Sequence, residues 1–214
     1  MAESRVPWSS QPGPHRRLDE VVRRHLSTIW RQPVHGFSQA AFDVVGHLAE
    51  TDLILDAGCG TAQSTAALAR RFPDHTVIGV DRSKSRLARA PDLPGNAFAV
   101  RADLADFWRL ARMAGWQLRR HYLLYPNPWP KPGHLQRRWH AHPVWPDLLA
   151  LGGWLELRTN FDRYAEEFAR ALELAGHPSH LQVLSLAPEA AISAFETKYA
   201  RSGHRLYRVT ADLG

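Results

Sequence analysis

The sequence predicts an α/β fold, a seven-stranded, mostly parallel sheet with helices on both faces and the last strand antiparallel. Three observations predict it. The apolar run Leu53-Ile-Leu-Asp56 stops at an acid, breaks into Gly58-Cys-Gly60 and passes at once into the helix-forming run 62–71. A second apolar run, Thr76-Val-Ile-Gly-Val-Asp81, also ends in an acid. Strand-like and helix-like segments then alternate, as a parallel sheet requires, until two strands come in succession at the end.

The elements follow in order. Residues 1–17 carry Pro7, Pro12, Gly13 and Pro14 with few apolar side chains and read as a flexible basic tail. Residues 18–214 read as one domain, with N-terminal helices filling 18–50: one over 18–31, stopped before Pro33, and one over 38–49 with Ser38 as its N-cap. Strands are expected near 52–57, 76–81, 96–101, 118–125, 153–159, 181–186 and 204–211, and further helices near 61–72, 83–90, 104–115, 134–150 and 161–175. Trp30, Trp108, Trp116, Trp145 and Trp154 fall at core positions of these elements.

Composition bounds the answer. At 214 residues the chain can bury about 70% of its unfolded surface as one α/β domain. Lys and Arg outnumber Asp and Glu 27 to 21, a net +6 compatible with a polyanionic partner. A single cysteine, Cys59, excludes an internal disulfide and a cysteine-based zinc cluster, and the spacing of His134, His140 and His142 fits no common metal site, so no metal is expected. The polar N-terminus resembles no signal peptide, and no apolar run reaches the roughly 18 residues that cross a bilayer, so a cytoplasmic protein without membrane contact is expected. A monomer is expected, with a homodimer as the alternative.

In open α/β sheets ligands bind outside the carboxyl ends of the strands, where Asp56, Asp81 and Asp103 stand. Gly58 and Gly60 let a ligand approach the backbone. The G-x-G-x-x-G dinucleotide fingerprint lacks its third glycine, and a carboxylate at Asp56 repels a pyrophosphate but suits the cationic S-adenosylmethionine. Asp81 is placed for ribose hydroxyls. Asp103 reads equally as an adenine contact and as a helix N-cap. The block resembles the first motif of Rossmann-like class I S-adenosylmethionine methyltransferases.

Tyr122-Leu-Leu-Tyr-Pro-Asn-Pro-Trp-Pro-Lys131 and the following Pro-Gly-His-Leu-Gln-Arg-Arg138 resemble the P-D-P-W-x-K-x-x-H-x-x-R-R signature of bacterial tRNA (guanine-N7)-methyltransferases of the TrmB type. Leu157-Arg-Thr-Asn-Phe-Asp-Arg-Tyr-Ala165 is similar to that family's T-D-x-x-x-Y-A, and Thr197-Lys-Tyr-Ala-Arg-Ser-Gly-His-Arg-Leu206 to its T-K-[FY]-E-x-R-G-x-R-L. The resemblance covers about residues 50–208. It implies S-adenosylmethionine as cofactor and tRNA as substrate. Asp56, Gly58, Gly60, Asp81, Asp103 and Asn127 would hold the cofactor, with Asn127 also at the catalytic place. Lys131, Arg137, Arg138, Asn160, Thr197, Lys198, Arg201 and Arg205 would hold the substrate. The chain departs from the pattern at Asn127 and Asn160, where the family has Asp, and at Ala200, where it has Glu; Glu196 is a candidate substitute for the last. A diverged member acting on another RNA site and a non-catalytic RNA-binding paralogue are the alternatives. Lys131, Arg137, Arg138, His134, His140 and His142 beside Trp129 and Trp139 form a basic, aromatic stretch suited to loop RNA.

Overall fold

The computed structural model describes residues 4–50 and 52–214. Its elements are α1 (Leu18–Leu26), α2 (Gly36–Val45), β1 (Leu53–Ala57), α3 (Gln63–Arg71), β2 (Thr76–Asp81), α4 (Lys84–Leu87), β3 (Ala97–Arg101), α5 (Leu104–Met113), β4 (Leu118–Leu124), α6 (Trp145–Leu149), β5 (Trp154–Thr159), α7 (Asp162–Leu174), β6 (Ser179–Leu184), α8 (Ala194–Arg201) and β7 (Leu206–Asp212). The sheet has seven strands in the order β3-β2-β1-β4-β5-β7-β6. All neighbours are parallel except β7, which runs antiparallel to both β5 and β6.

The alternation of side chains across the pleat divides the core between the two faces. Leu53, Leu55, Ile78 and Leu155 pack with Val22 of α1, Phe42 of α2, Phe107 of α5, Leu148 of α6 and Phe168 of α7. Ile54, Val77 and Tyr122 pack on the other face with Leu68 and Ala69 of α3. Trp108, Trp116 and Trp145 are fully buried, as their positions in the sequence predict, while Trp30 and Trp154 are half-buried. No helix among the described residues is long and apolar enough to cross a membrane.

Four elements differ from expectation. The first helix ends at Leu26, because the Ser27 and Thr28 hydroxyls donate to the Arg24 carbonyl (3.0 Å each) and take over its C-terminal bonding. Ser38 is not an N-cap; it lies inside α2, buried, and its hydroxyl accepts the Asp103 N–H at 3.1 Å, which pins the end of β3. The helix expected over 134–150 is broken into 3-10 turns at Pro132–Arg137 and Trp139–Ala141 followed by the short α6. Pro143 forces His142 into extended backbone (ψ 146°), which no helix accommodates. The helix α8 was not anticipated, although Ser193 accepts the Glu196 N–H at 3.2 Å as an N-cap. Of the tail expected over 1–17, residues 1–3 lie outside the described residues, and residues 4–15 bond across the molecule. Ser9 Oγ donates to the Pro130 carbonyl (2.6 Å), and the His15 N–H donates to Glu167 (2.8 Å).

Candidate active site

The carboxyl ends of β1, β2 and β3 open onto a cavity of about 560 Å³. Its floor is made by the turn after β1. The Gly58 and Cys59 N–H groups both donate to the Val80 carbonyl (2.8 and 3.0 Å), so the backbone doubles back on β2. Gly58 and Gly60 take φ of 83° and 60°, conformations that a side chain would strain. Asp81 and Asp103 stand on one side of the cavity; Asn127, Trp129 and Arg137 stand on the other.

Each acid is oriented before any ligand arrives. Asp81 is buried and accepts the Gly60 N–H (3.0 Å) and the Ser83 N–H (2.7 Å), one on each oxygen, with Arg86 at 3.2 Å. Asp103 is an N-cap that also borders the cavity. One oxygen caps α5 by accepting the Ala105 N–H (3.0 Å), and the other faces Arg82 at 3.4 Å on the cavity wall. Both carboxylates keep free lone pairs for hydroxyl or amino donors.

Asp56 is placed differently from expectation. It does not line the cavity but lies buried beneath the turn, where Oδ2 accepts the Ser64 (2.6 Å) and Thr65 (2.7 Å) hydroxyls of α3 and Oδ1 has no hydrogen-bond partner. Burial raises its pKa to about 6 against the pull of the two hydroxyls. A carboxyl whose folded pKa lies above its unfolded value binds more protons folded than unfolded across that interval. Its cost of about 3 kcal/mol is therefore absent in acid, grows between about pH 4 and 6 and is complete above. The variant D56N is expected to show a flatter decline of stability over that window than the wild type in thermal melts. Parallel profiles would contradict the burial of an ionised Asp56.

The far wall is a strained loop. Tyr125 and Trp129 take φ of 54° and 44°, left-handed values worth about 1–3 kcal/mol of strain each. The exposed Asn127 closes the loop by accepting the Trp129 N–H at 3.3 Å. What holds Tyr125 is a buried carboxylate, Glu196 of α8. It accepts the Tyr125 hydroxyl (2.8 Å), the Arg158 guanidinium (3.0 Å to each oxygen) and the Ile192 N–H (2.8 Å). Arg158 also donates to Glu156 (2.7 Å), which accepts from Arg208 (2.7 Å). Glu196 thus joins the loop to the helix that bears Phe195, a further lining residue. Glu196, the candidate substitute for the carboxylate missing at Ala200, is buried in this network. The other members were not expected at the site, yet the strand run Leu155-Glu-Leu-Arg158 places two charges on one pleat face of a central strand, a pattern that demands buried partners.

The expected basic surface separates into two groups. Lys131 and Arg137 are exposed, and the Arg137 guanidinium lies 4.8 Å over the Trp129 ring, with His134 edge-on to the same ring at 5.4 Å. Arg138 is a correction. Its side chain is 0% exposed, ion-paired with the equally buried Glu167, and it donates to the Trp129 carbonyl (3.0 Å) and Gln11 (2.8 Å). It cannot meet a phosphate without leaving the core. His140 is buried on the same Glu167 (3.1 Å), and His142 packs on Trp139 (5.5 Å), so these histidines do not converge with His134. Asn160 and Arg205 line a second, smaller cavity. Lys198 and Arg201 are exposed on α8, and the Thr197 hydroxyl donates to the Ser193 carbonyl (3.2 Å) within that helix.

A family model described as a putative methyltransferase matches residues 50–209. A tRNA (guanine-N(7)-)-methyltransferase of Leifsonia xyli subsp. xyli is 27% identical over 221 residues, covering 92% of this chain and 90% of its own. One of Alcanivorax borkumensis is 29% identical over 209 residues, covering 92% of this chain and 86% of its own. The crystal structure of the 16S rRNA methyltransferase KamB superposes with a TM-score of 0.58 at 20% identity, covering 86% of this chain and 97% of that one. That likeness and the strand order make this the Rossmann-like class I methyltransferase fold. The match of the family model, over well more than half of the sequence, shows that the chain belongs to this putative methyltransferase family.

Proposed function

We propose that this protein is an S-adenosylmethionine-dependent methyltransferase that methylates N7 of a guanine in tRNA, with the cytoplasm as its place of action. The observation that carries the reading is the cavity itself: two oriented carboxylates face an amide, a ring and a guanidinium across one space. The relatives that align over nearly all of the chain, named as tRNA (guanine-N(7)-)-methyltransferases, supply the substrate.

The residues present fit the cofactor. Asp81 would accept the ribose hydroxyls and Asp103 the adenine amino group as charge-assisted hydrogen bonds. The unpartnered Oδ1 of Asp56 leaves negative charge beneath the glycine turn, complementary to an ammonium or sulfonium group. When bound, the cofactor supplies an electrophilic methyl group.

Guanine N7 has a free lone pair and no proton, so the chain need provide no general base. Its task is alignment of the base with the methyl group at roughly 3 Å. Asn127 offers an amide to the guanine edge, Arg137 and Lys131 hold phosphate, and the Glu196–Tyr125 bond fixes the loop that presents Asn127.

Mass spectrometry of nucleosides from tRNA incubated with protein and S-adenosylmethionine tests the reading: 7-methylguanosine is expected, and its absence beside another methylated nucleoside would move the substrate. The variant N127D restores a carboxylate that can still accept the Trp129 N–H. It is expected to raise kcat/KM for guanine methylation about tenfold, from one strengthened contact of about 1–2 kcal/mol. An unchanged or lower kcat/KM would show that Asn127 does not read the base edge.

A further inference from the structure

We propose that a second cavity, over the end of β5 and the start of β7, is a subsite for an unpaired RNA nucleotide next to the one that is methylated, with Trp8 as its stacking ring and Arg205 as its phosphate contact. The inference rests on the RNA reading above and extends it to a place outside the methyl-transfer cavity.

The cavity encloses about 270 Å³, below the range of about 300–1,000 Å³ typical of pockets for whole small ligands and suited to a single base. Trp8 and Ser9 of the N-terminal segment form one side; Arg163, Arg205 and Tyr207 form the other. Trp8 is 80% exposed, and among the described residues it stacks on no other ring. A tryptophan left in water at the mouth of a cavity is an unmatched apolar surface, and a nucleobase has the flat π-face to cover it. Arg205 is exposed, lies 5.6 Å over the Tyr207 ring, and has no ion-pair partner among the described residues. Its charge is therefore available to an anion. Arg163 is engaged by Glu166 (2.8 Å) and by the Pro12 carbonyl (3.0 Å), and Asp162 on the rim carries the opposite charge, so Arg205 is the side chain that selects a phosphate here.

The two cavities share a wall. Ser9 lines the second and donates to the Pro130 carbonyl at 2.6 Å; the preceding residue, Trp129, lines the first. An RNA strand leaving the first cavity past Trp129 meets Ser9 and then Trp8. The segment is tied down on its other flank by the Arg138–Gln11 bond (2.8 Å), so the ring is held at this wall by the same buried arginine that supports the loop. Stacking is indifferent to base identity and suits a nucleotide in a loop or one turned out of its stack.

The test uses the full chain, an unmodified tRNA transcript, and S-adenosylhomocysteine as a control ligand. The variant W8A is expected to bind the transcript about tenfold more weakly, within the range one stacked base contributes, with the salt dependence unchanged. W8F, which keeps a ring, is expected to recover most of that loss. R205A is expected to reduce the slope of log K against log salt by about 0.7, one single-stranded phosphate contact. Affinity for S-adenosylhomocysteine should stay at the wild-type value in all three variants, which excludes misfolding. Wild-type affinity of W8A for the transcript would overturn the subsite. A wild-type chain that binds S-adenosylhomocysteine but no tRNA would instead overturn the RNA reading on which the subsite rests.

Discussion

Replacing Arg138 by alanine is expected to cost about 3–5 kcal/mol of folding stability, which chemical denaturation at neutral pH will read directly. The guanidinium is wholly buried against Glu167, whose carboxylate also takes a hydrogen bond from His140 (3.1 Å), one from Gln11 (3.2 Å) and one from the His15 N–H (2.8 Å). Burial opposes ionisation of Glu167, but the His140 hydrogen bond and the Arg138 charge outweigh it and hold the carboxyl down at about 2. A carboxyl depressed on folding stabilises the protein above its unfolded pKa of about 4.5 and loses that contribution as pH falls toward 2. Removing Arg138 leaves the carboxylate buried without its cation and frees Gln11 and the Trp129 carbonyl, so both the N-terminal segment and the loop should loosen. R138K should recover only part of the loss, because an ammonium cannot form the guanidinium's fork. The exposed neighbour Arg137 should behave oppositely: R137A should change stability by less than about 1 kcal/mol but weaken tRNA binding. Equal stability losses for the two would contradict the separation of roles.

Replacing Asp81 by alanine is expected to weaken S-adenosylhomocysteine binding at least a hundredfold by calorimetry. Two charge-assisted hydrogen bonds to ribose hydroxyls, at about 1.5–3 kcal/mol each, account for that loss. The same carboxylate accepts the Gly60 and Ser83 N–H groups, so its removal also releases the glycine turn. D81N separates the two effects, since it keeps one acceptor for the turn but lacks the charge; an affinity between those of the wild type and D81A is expected. Unchanged affinity in D81A would remove the crevice from the account.

The strands and their three terminal acids were legible because a buried parallel strand writes itself as an apolar run, and the acid that follows interrupts it. The far wall of the site was less so. Arg137 and Arg138 are adjacent letters of one motif, but the turn points one outward and the other into the core. What decides between them is Glu167, 29 residues further on, which local pattern does not reveal. The same holds for the N-terminal segment: poor in apolar residues, it is tied by hydrogen bonds to Pro130 and Glu167 that no short window contains. Two features of the sequence do mark this wall. The Ser193-x-x-Glu196 capping signal marks α8, and the paired charges Glu156 and Arg158 on one pleat face mark the buried network behind Tyr125. Asp56 is expected in the crevice, and its position under the turn instead depends on the hydroxyls of Ser64 and Thr65 on α3.

The claim on which the rest depends is that the cavity at the ends of β1, β2 and β3 takes S-adenosylmethionine. A crystal structure with S-adenosylhomocysteine tests it most directly. The account predicts ribose hydroxyls within hydrogen-bond distance of Asp81, the adenine amino group on Asp103, and the sulfur facing Asn127. A ligand bound elsewhere, or an ordered complex in which Asp81 keeps only Gly60, Ser83 and Arg86 as partners, would contradict it.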